Sequence, residues 1–119
     1  LCSIQGYDGI QGYSLKPMIQ DPNASVRDSV LIEDDIAPLI ASMTPIPAKT
    51  RTVITNTYRY TRNSKREEQL IDLVADPDEC ENLVGIDTGT RAIAIERLTD
   101  ALIAADDAAR GAPVDARYA

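Results

Sequence analysis

Asp87 stands in the stretch Gly85-Ile86-Asp87-Thr88-Gly89-Thr90, a carboxylate between an apolar residue and Thr-Gly-Thr. Such an aspartate can share one proton with a second carboxylate and activate a water for hydrolysis. It can also attack a phosphoryl group as a nucleophile. The first chemistry needs a second copy of the acid, which two chains together could supply. The second calls for a lysine directly after the aspartate, and Thr88 is there instead.

A second acidic stretch runs Ala75-Asp76-Pro77-Asp78-Glu79-Cys80-Glu81-Asn82. A calcium loop of the EF-hand type wants carboxylates at positions one, three and five and a glycine at six. Counted from Asp76, Cys80 and Glu81 occupy five and six, and the match fails. Aspartates after an apolar strand are also the nucleophile and acid of haloacid-dehalogenase phosphatases. Cys80 falls where that pattern has Thr or Val. The plainer reading is a helix start, with Asp76 as cap and Pro77 in the first turn. A third group, Arg51, Arg59, Arg62, Lys65 and Arg66 with Tyr58 and Tyr60 between them, has the residue types of an anion surface. The formal net charge of −7 sets this against a nucleic-acid backbone or an anionic membrane, and solvated strand faces are the expected role.

Composition removes other chemistries. The 119 residues contain no His, which excludes the Ser-His-Asp triad, the Cys-His dyad and most zinc sites. Cys2 and Cys80 are read as two free thiols. With no Phe or Trp and 44% hydrophobic residues, the core must be mainly aliphatic. No run approaches the roughly 18 apolar residues of a membrane span.

The elements that would hold these residues follow from the hydrophobic period. Residues 1–27 are rich in Gly, Tyr, Ser and Pro and read as an irregular arm, with one helical turn in Ser-Leu-Lys-Pro-Met-Ile-Gln. Ser29–Glu33 is short and β-branched and predicts a strand. Residues 34–49 are apolar yet carry three prolines, which predicts a long loop. Its exposed apolar residues Ile36, Leu39, Ile40, Met43 and Ile46 mark an interface with a partner. Thr50–Asn56 and Thr57–Asn63 read as two strands joined at Asn56-Thr57, and Gln69–Val74 as another. From Asp87 to Arg110 the apolar residues Ile95, Leu98, Leu102 and Ala105 recur at helical spacing. Gly111 and Pro113 mark its end, and residues 111–119 read as a frayed tail. The predicted fold is α+β: a small antiparallel sheet of about four strands with one long C-terminal helix packed on it, a two-layer sandwich. In that setting Asp87 or Thr88 caps the helix. A proteolytic dyad would instead need its Asp-Thr-Gly between strands and a glycine-rich flap, and neither is found.

Residues 51–83, RTVITNTYRYTRNSKREEQLIDLVADPDECENL, form a unit that resembles the C-terminal region of the sulfatase family. There an Arg-led strand precedes a Y-K-Y strand, a charged turn and E-L-Y-D-L-x-x-D-P-x-E-x-x-N-L. Arg51, Tyr58, Arg59, Tyr60, Glu68, Leu70, Asp72, Leu73, Asp76, Pro77, Glu79, Asn82 and Leu83 fill those places. Ile71 replaces an aromatic, and Arg59 a Lys. Upstream, Gly12, Ser14, Leu15, Pro17, Arg27 and Glu33 match the weaker G-x-S-L-x-P pattern, the following Arg and the strand ending in Glu. The similarity covers roughly residues 9–105.

The resemblance implies that residues 28–110 are the C-terminal subdomain of an alkaline-phosphatase-like hydrolase acting on sulfate, phosphate or phosphonate esters. Residues 1–27 would then continue from an upstream catalytic domain, as the beginning without Met also suggests. The family works through formylglycine, made from a Cys or Ser in C/S-x-P-x-R, and a divalent ion such as calcium. Cys2 precedes Ser-Ile-Gln and Cys80 precedes Glu-Asn-Leu, so no catalytic, metal or cofactor residue is carried over. The chain alone is expected to be inactive, and 36–47 to contact the catalytic domain. The alternative is a free-standing interaction module that forms a homodimer through 36–47.

Overall fold

The computed structural model describes residues 14–110. Arg27–Ala101 forms one compact unit; residues 14–26 and 102–110 group apart from it. The elements in chain order are α1 (Lys16–Gln20), β1 (Ser29–Asp35), α2 (Pro38–Met43), β2 (Lys49–Thr55), β3 (Tyr58–Asn63), β4 (Glu68–Asp72) and α3 (Thr88–Arg110).

The four strands make an antiparallel meander in the order β1-β2-β3-β4. The register places Leu31, Val53, Tyr60 and Leu70 in one row across the sheet. Side chains alternate along a strand, so this row defines one face. Val53, Tyr60 and Leu70 in it are fully buried, and each such side chain contributes about 1.5–3 kcal/mol. Ala94 and Leu98 of α3 are buried as well, and Arg91 of α3 reaches Glu68 of β4. The fold is therefore the two-layer α+β arrangement that the hydrophobic periods predict.

The β2–β3 turn falls at Asn56-Thr57, where Thr55 Oγ1 accepts from the Thr57 and Tyr58 amides at 3.2 and 3.0 Å. The charged turn between β3 and β4 is set by Asn63. Its Oδ1 accepts from the Lys65 and Glu67 amides, and Arg66 takes φ 66°. The helical turn expected in the arm is α1; Gly111, Pro113, the tail and Cys2 lie outside the described residues.

Two expectations need correction. The loop at 34–49 is not wholly irregular. β1 runs on to Asp35, and α2 follows it with Pro38 at its start, where a missing N–H costs nothing. Residues 75–82 do not start a helix. Asp76 Oδ2 accepts from the Glu81 amide at 2.8 Å and Glu79 takes φ 56°, so the segment folds into successive turns.

Candidate docking site

The motif residues of 68–83 prove to be a clasp. Asp72 Oδ1 accepts from the amides of Val74 and Ala75 at 2.8 and 2.9 Å, turning the chain at the end of β4. Asp76 closes the next turn on Glu81. Glu79 ion-pairs with Arg59 of β3. Asn82 then lies along the outer edge of β4. Its Oδ1 accepts from Leu70 N at 3.0 Å and its Nδ2 donates to Glu68 O at 3.1 Å, while Leu83 N donates to Leu70 O at 2.8 Å. A side-chain amide carries the donor and acceptor of a peptide group, so Asn82 and Leu83 satisfy an edge that would otherwise be open. The L-x-D-L-x-x-D-P-x-E-x-x-N-L spacing is thus a structural requirement of this return path.

Asp87 is the N-cap of α3. Its Oδ1 accepts from the Thr90 amide at 2.9 Å and its Oδ2 from the Thr90 hydroxyl at 2.6 Å. These two bonds hold its carboxyl below the usual range. A small pocket beside it is lined by Tyr58, Asp72, Leu83 and Thr90 among others. Among the described residues, no group of three or more His, Cys, Asp or Glu is placed to hold a metal ion.

The basic run is largely committed to the sheet. Arg51 pairs with Glu33 at 2.9 Å and Asp35 at 2.5 Å across β1–β2. Hydrogen bonding to Arg51 lowers the Asp35 carboxyl. Arg59 is tied to Glu79, Arg62 lies 4.0 Å from Glu68, and Lys65 donates to the Pro45 carbonyl. This leaves no continuous cationic surface on the sheet. Tyr58 and Tyr60 are buried; Tyr60 ionises at about 12, raised first by burial and then by the neighbouring Glu68. Cys80 is a free, exposed thiol.

What remains open is apolar. α2 is anchored at its base, where Ile36 N donates to Ala48 O at 2.8 Å and Lys65 holds Pro45. Ser42 and Thr44 return their hydroxyls to the carbonyls of Leu39 and Ile40, so these polar groups need no outside partner. Leu39, Ile40 and Met43, three and four residues apart on one side of the helix, are 72, 52 and 76% exposed. Ile46 is exposed and Ile36 half-buried. The sequence therefore places these five residues on one loop; the structure adds that a pinned helix presents three of them on a single side. Residues the sequence does not single out are Arg91 and the outward-facing Val30 and Ile32 of β1. Among the described residues no helix is long and apolar enough to cross a membrane.

No protein-family profile matches this chain, and no curated protein sequence does. Solved structures do. The fold is similar to BT4656 in complex with its substrate D-glucosamine-2-N,6-O-disulfate, at TM-score 0.71 and 19% identity over 87% of this chain. It is also similar to a candidate sulfatase from Bacteroides thetaiotaomicron VPI-5482, at TM-score 0.62 and 25% identity over 89% of this chain. The chain spans only 22% and 23% of their lengths. The same sheet-and-helix unit thus occurs as a small part of two much longer chains, in agreement with the sulfatase resemblance of residues 51–83.

Proposed function

We propose that this chain is the non-catalytic C-terminal subdomain of a sulfatase-type hydrolase and that it completes the catalytic part of that protein. The observation that carries the reading is the coincidence of two likenesses. The 51–83 motif resembles the sulfatase C-terminal region, and the fold matches sulfatase-type structures over nearly all of this chain but about a fifth of theirs. The motif residues support it further, because each has a structural task and none is left for chemistry.

In the parent, a formylglycine hydrate and a divalent ion would cleave a sulfate ester, or a phosphate or phosphonate ester. The residues present here do not fit either group. Neither cysteine lies in C-x-P-x-R, and the described acids are spent on turns, caps and ion pairs. No catalytic step is therefore assigned to this chain. Its contribution is to present Ile36, Leu39, Ile40, Met43 and Ile46 to the catalytic part, where burying them removes exposed aliphatic surface from water.

The test is the reading frame. A C-x-P-S-R motif encoded a few hundred residues upstream is expected. A frame lacking it would overturn the reading and favour a free-standing module dimerising through residues 36–47.

A further inference from the structure

The sheet has a second face. Its rows are Val30-Ile54-Arg59-Ile71 and Ile32-Thr52-Thr61-Gln69. The β3–β4 half is closed: Ile71 is fully buried, and Arg59 binds Glu79 of the loop that follows β4. Thr52 is buried too, its hydroxyl 2.9 Å from that of Thr61. The β1 half is open. Val30 and Ile32 are 40 and 46% exposed, and Ile54 is half-buried.

The charges of this strand divide between the faces. Glu33 and Asp35, on the α3 face, are neutralised by Arg51. Asp34, on the open face beyond Ile32, makes no ion pair. The open half-face is thus an aliphatic patch with one carboxylate at its end, and α2 begins three residues after β1.

Resting on the reading given under Proposed function, we propose that Val30, Ile32 and Ile54 form a second seat for the catalytic part of the same protein. That part would offer aliphatic side chains to the patch and a Lys or Arg to Asp34. Two observations select this occupant. In the similar structures more than three quarters of the chain lies outside the match, which is ample to cover both α2 and the adjoining strand. A second copy is disfavoured. Antiparallel pairing of β1 with itself about Leu31 or Ile32 sets acidic side chains into one edge, since Glu33, Asp34 and Asp35 occupy its last three positions.

The test uses single thiols, with Cys2 and Cys80 replaced by Ser. Ile32→Cys and, separately, Ile40→Cys are introduced into the 119-residue chain and into the full-length protein, and the rate of reaction with a maleimide is measured. In the short chain both are expected to react freely. In the full-length protein both are expected to slow by about tenfold or more, as for groups exposed only by local opening. Slowing at Ile40→Cys alone overturns the second seat and leaves the parent reading intact. Slowing at neither overturns both. Concentration-dependent slowing in the short chain makes a second copy the occupant and overturns the inference. Val30→Cys serves as the second probe, and equal rates in denaturant with unchanged far-ultraviolet circular dichroism establish that each variant is folded.

Discussion

Glu68 of β4 holds Arg91 of α3 with both carboxylate oxygens, Nε donating to Oε2 at 2.6 Å and Nη2 to Oε1 at 2.9 Å. The Glu68 side chain is 11% exposed and that of Arg91 36%. A paired, bidentate geometry of this kind fixes the rotation of the helix on the sheet as well as its distance. Removing one partner leaves the other half-buried and unmatched. Glu68→Gln is therefore expected to destabilise the chain by about 1–3 kcal/mol, read as a lower urea midpoint at unchanged m-value. An unchanged midpoint would mean that apolar packing at Ala94 and Leu98 alone seats the helix.

The same pair sets an acid limit. Hydrogen bonding from Arg91 holds the Glu68 carboxyl below its ordinary 4.5, and Thr90 does the same for Asp87 against 3.8. A carboxyl lowered in the folded state binds its proton more readily when unfolded. Its stabilisation is present above the unfolded value and is lost as pH falls through the folded one. Stability is thus expected to hold from neutrality to about pH 5 and to fall below the ordinary carboxylate values. Urea midpoints across that range check this, and Glu68→Gln should flatten the fall.

Tyr60 gives the alkaline counterpart. Burial raises its ionisation to about 12, so the neutral form is favoured in the fold and the benefit is lost as pH rises from the ordinary 10.0 through that value. Tyrosinate absorbance should show one late-titrating group in the folded chain that is missing from Tyr60→Phe.

The cap at Asp87 is separable from any catalytic role. Asp87→Ala is expected to cost about 0.5–2 kcal/mol by leaving first-turn amides of α3 unbonded, with Asp87→Ser recovering part of the loss. Peptide cleavage by the unaltered chain, abolished in Asp87→Asn, would contradict the cap as its sole role.

The sheet was legible because its pattern is local. Tyr58 and Tyr60 alternate onto one face, Asn56-Thr57 supplies the turn, and the 3.6-residue period from Asp87 onward is unbroken. The helix α2 was not legible, since six residues with a proline at the first position are too few to show a period. Residues 75–82 misled because Pro after Asp marks turns as well as helix starts, and the competing bond from Glu81 to Asp76 cannot be seen in sequence. The five apolar loop residues were found as candidates through their prolines and lack of charge. The Glu68–Arg91 pair spans 23 positions and depends on the phase of α3 over the sheet, which no local pattern carries.

The docking face makes its own prediction. Leu39→Lys with Met43→Lys should leave the urea midpoint of the 119-residue chain within about 0.5 kcal/mol, because both side chains are exposed there. In the full-length protein the same pair should lower the melting temperature. Equal effects in both would place these residues in the chain's own core.

The most direct measurement is hydrolysis of an aryl sulfate by the full-length protein, by the 119-residue chain, and by the full-length protein carrying Leu39→Lys and Met43→Lys. Sulfate release is predicted for the full-length protein, none for the short chain, and a reduced, less heat-stable activity for the double variant. Sulfate release by the 119-residue chain itself would contradict a non-catalytic subdomain.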